Sequence, residues 1–144
     1  MKMQNSALAM GAILRVWWPL DEAPTVVGPK FRPAIFLGET VINGTVHWVV
    51  AYGTTVMKGY KQAKNGGDLF VQCMEDRGVV INSDTRFDFN RVEAFPATTE
   101  YFSSSSVQAI AKTAQIPAHL LEQAAICMHN ANVGAKLQRL GVRL

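Results

Sequence analysis

Short apolar runs separated by turn residues fill most of the chain from Gly11 to about Phe95. Within these runs apolar residues recur at every second position, which is the period of a half-buried β-strand. The clearest alternations are Leu14, Val16 and Trp18; Trp48, Val50 and Tyr52; and Leu69, Val71 and Cys73. Asn43-Gly44 and Asn65-Gly66-Gly67 separate runs of this kind and are typical of tight turns. The pattern predicts a small, strongly curved antiparallel sheet or barrel.

The period changes after the serine run at 103–106. Apolar residues then recur every three or four positions, as they do on one side of a helix. A first apolar stripe comprises Val107, Ile110, Ala111 and Ala114. Ser105 and Gln108 have the spacing of a capping box at its start. A second stripe, from Pro117 to Gly134, comprises Leu120, Leu121, Ala124, Ala125 and Met128. We therefore expect one domain over residues 1–144, with a mainly β barrel at 11–102 and a tail of α-helices at 103–144.

Composition and charge narrow the function classes only slightly. A chain of 144 residues, 49% of them hydrophobic, can bury a core, and a formal net charge of +3 permits a polyanionic partner without requiring one. Cys73 and Cys127 lie far apart within apolar patterns, so we expect free thiols in a reducing cytoplasm. No run is long enough to cross a bilayer, and Arg15 interrupts the first apolar run, so we expect neither a membrane segment nor a signal peptide.

Histidines and aromatic residues give little evidence of a ligand site. His47, His119 and His129 have no nearby cysteine or carboxylate at the spacing of metal ligands, so we expect no metal site. Trp48 and Tyr52 alternate with other residues as core positions of a strand do, which favours packing over base stacking. The candidate chemistry therefore lies elsewhere in the chain.

The best candidate residues for chemistry are Arg32 and Thr54. Because Pro33 lacks a backbone donor and holds Arg32 extended, we place Pro33 at the first position of a strand and Arg32 at its end. Thr54 and Thr55 end another run in the same way. If these strands pair, a guanidinium group and a hydroxyl share one face, which suits a phosphate. From spacing alone, a solvated charge and a turn-forming threonine are the alternative.

The segments GPKFRPAIFL and GTTVMKGY, in this order and at this separation, resemble the MazF/PemK family of toxins from bacterial toxin–antitoxin pairs. Gly11, the segment GVV at 78–80 and the cluster SDTRFDFNRV extend the resemblance over about 11–95. It implies an SH3-like small barrel and a metal-independent endoribonuclease that cleaves single-stranded RNA without a cofactor. In that reaction the ribose 2′-hydroxyl attacks its own phosphate, so the protein supplies orientation, charge stabilisation and proton transfer.

The resemblance also implies roles for individual residues. Arg32 would stabilise the charge of the phosphorane or donate a proton, and Thr54 would donate a hydrogen bond to the scissile phosphate. Lys30, Thr55 and Lys58 would contact the RNA.

A second cluster departs from the family. Members of the family usually carry the segment Asp-Gln-x-Arg-Thr-x-Asp. In this chain it is shortened to Asp84-Thr85-Arg86-Phe87-Asp88, without the glutamine. Asp84 and Arg86 are therefore expected RNA contacts, with a solvated, salt-bridged turn as the alternative.

The resemblance further implies a homodimer in the cytoplasm, inhibited by a cognate antitoxin whose acidic tail covers the RNA groove. A catalytically inactive barrel that binds RNA or a protein partner is the main alternative, favoured by the missing glutamine. A DNA-binding repressor is disfavoured, because the expected second helix, AHLLEQAAICMHNAN, contains no arginine or lysine.

Overall fold

In this computed structural model of the protein, the described residues are 9–55, 65–76, 79–81, 83–102 and 112–142. They form a mainly β fold with short C-terminal helices. The strands are β1 (Ala12–Trp17), β2 (Phe31–Ile42), β3 (Thr45–Thr54), β4 (Asp68–Val71), β5 (Met74–Asp76), β6 (Val79–Ile81), β7 (Thr85–Pro96) and β8 (Lys112–Gln115). The helices are α1 (Thr99–Phe102), α2 (Leu121–Asn130) and α3 (Val133–Arg139), with a 3₁₀ turn (Ala118–Leu120) directly before α2.

The main sheet has six antiparallel strands in the order β4-β7-β3-β2-β1-β8, and β5 and β6 form a separate hairpin. The prediction of a closed barrel is therefore wrong. Within the described strands the sheet is open, with β4 and β8 at its edges. β4 pairs only with β7, and β8 pairs only with β1, so neither edge strand bonds to the other. The β5–β6 hairpin lies beside β8, with β6 close to it.

The hairpin predicted at Asn43-Gly44 is confirmed. Asn43 and Gly44 have φ angles of 52° and 77°, and they join β2 to β3 directly. Positive φ at both central residues matches the right-handed twist of the flanking strands, which is why Asn-Gly is favoured there. The turn fixes the register of β2 against β3 over most of their length.

Each face of the sheet carries its own hydrophobic core. The side that we call the helix face is covered by α2 and α3, and its core includes Ile35, Val49, Leu69, Phe87, Phe89, Ala124, Cys127 and Leu137. The opposite side, which we call the groove face, is covered in part by α1, and its core includes Leu14, Val16, Trp18, Phe36, Trp48, Val50, Phe95 and Phe102. The members of each predicted alternation in β1 and β3 share the groove face, as predicted. The strands are not half-buried, however, because Ile13, Val49 and Ala51 are buried in the core of the helix face.

The third predicted alternation is confirmed only in part. Leu69 and Val71 are buried on the helix face, but β4 ends at Val71 and Cys73 is exposed. Cys73 and Cys127 are both free thiols, and Cys127 is fully buried.

The first predicted C-terminal helix is wrong at its end, and residues 103–111 lie outside the described residues. Lys112–Gln115 form β8, which pairs with β1 and satisfies backbone groups that β1 would otherwise expose. The second helix is confirmed beyond Pro117, although Leu121 and Ala125 of its predicted stripe are exposed. Its buried positions are Ala124, Cys127 and Ala131, because the helix packs on β4 with a different side.

None of the helices in the described part of the chain has both the length and the hydropathy needed to cross a membrane.

Candidate functional site

Polar residues from four neighbouring strands meet at one end of the groove face. The pairing of β1, β2, β3, β7 and β4 sets two rows of side chains across the sheet at this end. The first row contains Val16, Arg32, Thr54, Arg86 and Phe70, and the second contains Leu14, Ala34, Tyr52, Asp88 and Asp68. Residues opposite each other in such a ladder are within direct contact distance.

Arg32 and Thr54 are neighbours at the centre of the first row. Nη1 of Arg32 donates to Oγ1 of Thr54 at 3.5 Å, across β2 and β3. Arg32 is half-buried, and only 4% of Thr54 is exposed. β2 begins at Phe31 rather than at Pro33, so Arg32 lies inside the strand and is held on both sides by β1 and β3.

Gly53 explains why a glycine precedes the two threonines. A Cβ atom at this position would lie 2.6 Å from the carbonyl oxygen of Pro33 and 2.7 Å from the ring of Phe87. Real Cβ atoms do not approach other atoms so closely, so only glycine fits between β2 and β7 here. The close approach of the strands places the hydroxyl of Thr54 beside Arg32.

Arg86 lies next to Thr54, but its charge is already balanced. Its Nη1 is 3.7 Å from Oδ1 of Asp68, and the two side chains are only 14% and 1% exposed. The alternative of a solvated, salt-bridged turn does not describe Arg86, whose ion pair with Asp68 is buried between β7 and β4. Arg86 gives the site a positive group whose field is reduced by a neighbouring carboxylate.

The other residues expected to contact RNA are less closely associated with this pair. Oδ1 of Asp84 accepts a hydrogen bond of 2.7 Å from the backbone N–H of Cys73, so Asp84 stabilises the connection before β7. Lys30 and Thr55 are exposed, next to the ends of β2 and β3 that carry Arg32 and Thr54. Lys58 lies outside the described residues.

Sequence reasoning missed Arg91, which lies beside the same pair. The β3–β7 register shifts between Ala51 and Tyr52, so that β7 carries an extra segment at 89–91. The guanidinium carbon of Arg91 lies 4.0 Å from the centre of the Tyr52 ring and 5.8 Å from that of Trp18. No local signal marks Arg91, because the bulge that places it depends on pairing between distant parts of the chain.

Hydrogen bonds hold this bulge in shape. The backbone N–H of Asn90 donates to Oδ1 of Asp88 at 2.9 Å, and the amide groups of Asn90 and Asn65 bond to each other at 2.7 and 3.1 Å. Phe89 N–H donates to the carbonyl of Gly67 at 3.0 Å. The turn predicted at 65–67 therefore positions the bulge as well as starting β4.

Beneath the site, Cys127 links helix α2 to β4. Its Sγ donates to the backbone carbonyl of Asp68 at 3.2 Å. Burial raises the pKa of the Cys127 thiol, and the nearby Asp68 carboxylate adds to this, while a hydrogen bond from Gln123 opposes it. The thiol is thus a neutral packing group that supports the strand bearing Asp68.

Within the part of the chain that the structure describes, no three histidine, cysteine or carboxylate side chains are grouped as metal ligands would be. Comparison of the chain with models of known protein families, and with curated protein sequences, gives no match.

Proposed function

We propose that this protein is a toxin-type endoribonuclease of the MazF/PemK kind, which cleaves single-stranded RNA independently of the ribosome. The observation that carries the proposal is the pair formed by Arg32 and Thr54, joined at 3.5 Å across adjacent strands. From residue spacing alone, the two groups share a face only on the condition that their strands pair. The pairing of β2 with β3 meets that condition.

The pair suits the chemistry of RNA cleavage by internal attack. The nucleophile, the 2′-hydroxyl, belongs to the substrate. It gives up its proton to solvent as it attacks, and it displaces the 5′-oxygen of the next nucleotide, which takes up a proton to become a 5′-hydroxyl and leaves a cyclic phosphate behind. Arg32 stabilises the charge that develops on the phosphoryl oxygens, while Thr54 donates a short hydrogen bond to the same group. Neither step needs a metal or an organic cofactor.

The architecture supports the same proposal. An antiparallel sheet that begins with three consecutive strands β1-β2-β3 and ends in helices packed on one face is compatible with an open variant of the SH3-like fold. The β5–β6 hairpin lies beside the edge strand β8. Arg32 is half-buried and Lys30 is exposed beside it, so an RNA strand would first meet these two cations.

A ribonuclease of this kind requires control in its host. We propose a homodimer in the cytoplasm, and a cognate antitoxin whose acidic tail binds the groove face in competition with RNA. Arg32 and the exposed Lys30 provide the positive charge that both ligands share. Binding of either ligand then weakens as salt is raised.

Incubation of the pure protein with a long single-stranded RNA in the presence of a chelator tests the activity. We expect cleavage fragments with a cyclic phosphate at one end and a 5′-hydroxyl at the other, and no cleavage by Arg32→Ala of matched folding. Products with 5′-phosphate ends, or equal cleavage by wild type and variant, would contradict the proposal.

A catalytically inactive RNA-binding protein is the second candidate. It is favoured by the buried Asp68, which balances the charge of Arg86 beside the reactive pair. Wild-type protein that binds single-stranded RNA with salt-dependent affinity, yet releases no fragments at high enzyme concentration, would select this function instead.

A further inference from the structure

Arg91 is a second cation close to the Arg32–Thr54 pair. Its guanidinium carbon lies 4.0 Å from the centre of the Tyr52 ring, and that of Arg32 lies 5.5 Å from the same centre. The three residues come from adjacent strands β2, β3 and β7. The ring of Tyr52 therefore makes cation–π contacts with both guanidinium groups.

Arg91 is also available to a ligand. The only ion pair recorded for it within the described residues is with Asp21, at 3.6 Å, and the two side chains are 41% and 94% exposed. Exposed pairs of this kind contribute little to stability and are readily displaced. Arg86, by contrast, is tied to a carboxylate that is 1% exposed. Of these two arginines, Arg91 is therefore the one beside the Arg32–Thr54 pair that can exchange its carboxylate partner for a ligand.

A cleft lies beside the guanidinium group of Arg91. The cleft has a volume of about 200 Å³ and lies between the β1–β2 loop and β7. Trp18, Leu20 and Phe95 give it apolar walls. The charged residues Asp21, Arg91 and Glu93 also line it. Pockets for drug-sized ligands are larger, about 300 Å³ or more. This cleft matches a single flat ring, and unstacked RNA bases bind between aromatic side chains and arginine planes in this way.

We propose that Arg91 and this cleft form a nucleotide subsite next to the scissile phosphate, in which Arg91 binds the adjoining phosphate and the cleft receives an unstacked base. The inference rests on the proposed function, because it needs an RNA strand held by Arg32 and Thr54. The family resemblance implies that Arg86 contacts the RNA, and the inference assigns that contact to Arg91 instead. The substrate class is a flexible single strand, since a base inside a duplex does not reach such a cleft.

Binding of a 2′-O-methyl RNA oligonucleotide, which lacks the attacking hydroxyl, tests the subsite separately from cleavage. We expect Arg91→Gln to weaken binding about tenfold, the effect of one charge-assisted hydrogen bond. The slope of log affinity against log salt should fall by about 0.7, as for the loss of one phosphate contact on a single strand. Arg139→Gln, which removes an equally charged, exposed residue from α3 on the helix face, should change neither quantity.

Photo-crosslinking tests the cleft itself. An oligonucleotide with 4-thiouridine at each position in turn should crosslink to the peptide 18–24 or 91–95 in wild type, and these crosslinks should be lost in Arg91→Gln. Crosslinks only to other peptides, or unchanged affinity and salt slope in Arg91→Gln, would overturn the subsite.

The two proposals fail in different ways. If wild type cleaves RNA and Arg32→Ala does not, while Arg91→Gln binds as wild type, the subsite is wrong and the ribonuclease stands. If binding depends on Arg91 but no RNA is cleaved, the subsite is supported and the inactive RNA-binding protein replaces the enzyme. If wild type binds no RNA at low salt, both are wrong.

Discussion

Gly53 and Pro33 approach so closely that a Cβ atom on Gly53 would lie 2.6 Å from the carbonyl oxygen of Pro33. The contact joins β3 to β2 one residue away from Thr54 and from Arg32. The Arg32–Thr54 pair is therefore positioned by backbone packing directly beside it. This makes Gly53 a structural requirement of the site, although it carries no functional group.

Gly53→Ala should lower the free energy of unfolding by about 2 kcal/mol, the typical cost of forcing an extra methyl group into a packed interior. It should also reduce RNA cleavage, because the strands must separate to admit the methyl group. Urea denaturation gives the first quantity and fragment yield the second. Gly134→Ala is the matched control: beyond the local backbone of helix α3, no atom of the described residues lies within 4 Å of its added Cβ atom. That change should leave cleavage intact and stabilise the protein by about 0.5–1 kcal/mol.

Substitutions of the pair itself should separate charge from hydrogen bonding. Arg32→Ala should abolish cleavage, and Arg32→Lys should restore little of it, because lysine keeps the charge but loses the planar set of donors. Thr54→Val should cost about 3 kcal/mol of transition-state stabilisation, or roughly a hundredfold in rate. Cleavage rates on one RNA at saturating protein measure all three. Full activity of Thr54→Val would move the hydroxyl role to Thr55.

Local signals in the sequence were sufficient to predict those features that short segments determine. Asn43-Gly44 predicted its hairpin, and the alternations in β1 and β3 predicted which side chains share a face. Features that depend on distant pairing were not predictable in this way. The strand at 112–115 forms because β1 needs an edge partner, and the ion pair of Arg86 forms because β4 brings Asp68 beside β7. The same holds for Arg91, since the bulge that places it is visible only once β3 and β7 are paired.

The ion pair of Arg86 and Asp68 should contribute to stability in proportion to its burial. Asp68→Asn leaves a mostly buried guanidinium with a neutral partner, so we expect a loss of about 3 kcal/mol in the free energy of unfolding. Asp21→Asn removes the carboxylate from the exposed pair with Arg91 and should leave the free energy of unfolding nearly unchanged. Denaturant titrations of the two variants in parallel make the comparison. An equal effect of both substitutions would show that burial does not distinguish the pairs.

Stability should decrease in alkaline solution through two buried groups. Burial raises the pKa of Tyr101, as does the charge of nearby Glu100, and burial likewise raises the pKa of Cys127. The folded state therefore holds both protons more tightly than the unfolded chain does. Their contribution is fully present below the unfolded pKa values, about 8.5 for cysteine and 10 for tyrosine, and is lost as pH rises through the folded values. Tyr101→Phe should show a shallower decline above pH ~10 in denaturant titrations.

The bulge of β7 should control RNA binding through the position of Arg91. Asn90 joins this bulge to the turn at Asn65 by two reciprocal amide hydrogen bonds, and its backbone is bonded to Asp88. Asn90→Ala removes the amide pair without removing any charge. We expect it to weaken binding of the 2′-O-methyl RNA several-fold, because Arg91 is then held less firmly over Tyr52. The salt slope should remain that of wild type, since the number of cations that contact phosphates is unchanged.

The Asn65→Ala variant provides the internal comparison for this prediction, because it breaks the same amide pair from the other side. Oδ1 of Asn65 also accepts a hydrogen bond of 3.0 Å from the backbone N–H of Gly67, so Asn65→Ala should weaken RNA binding at least as much as Asn90→Ala. The double variant should be no worse than Asn65→Ala alone. Fluorescence anisotropy at two salt concentrations gives the RNA affinities of the wild type, the two single variants and the double variant, which complete a double-mutant cycle. Additive losses would show that the two asparagines act independently, and a reduced salt slope in Asn90→Ala would show that the bulge contributes more than the position of Arg91.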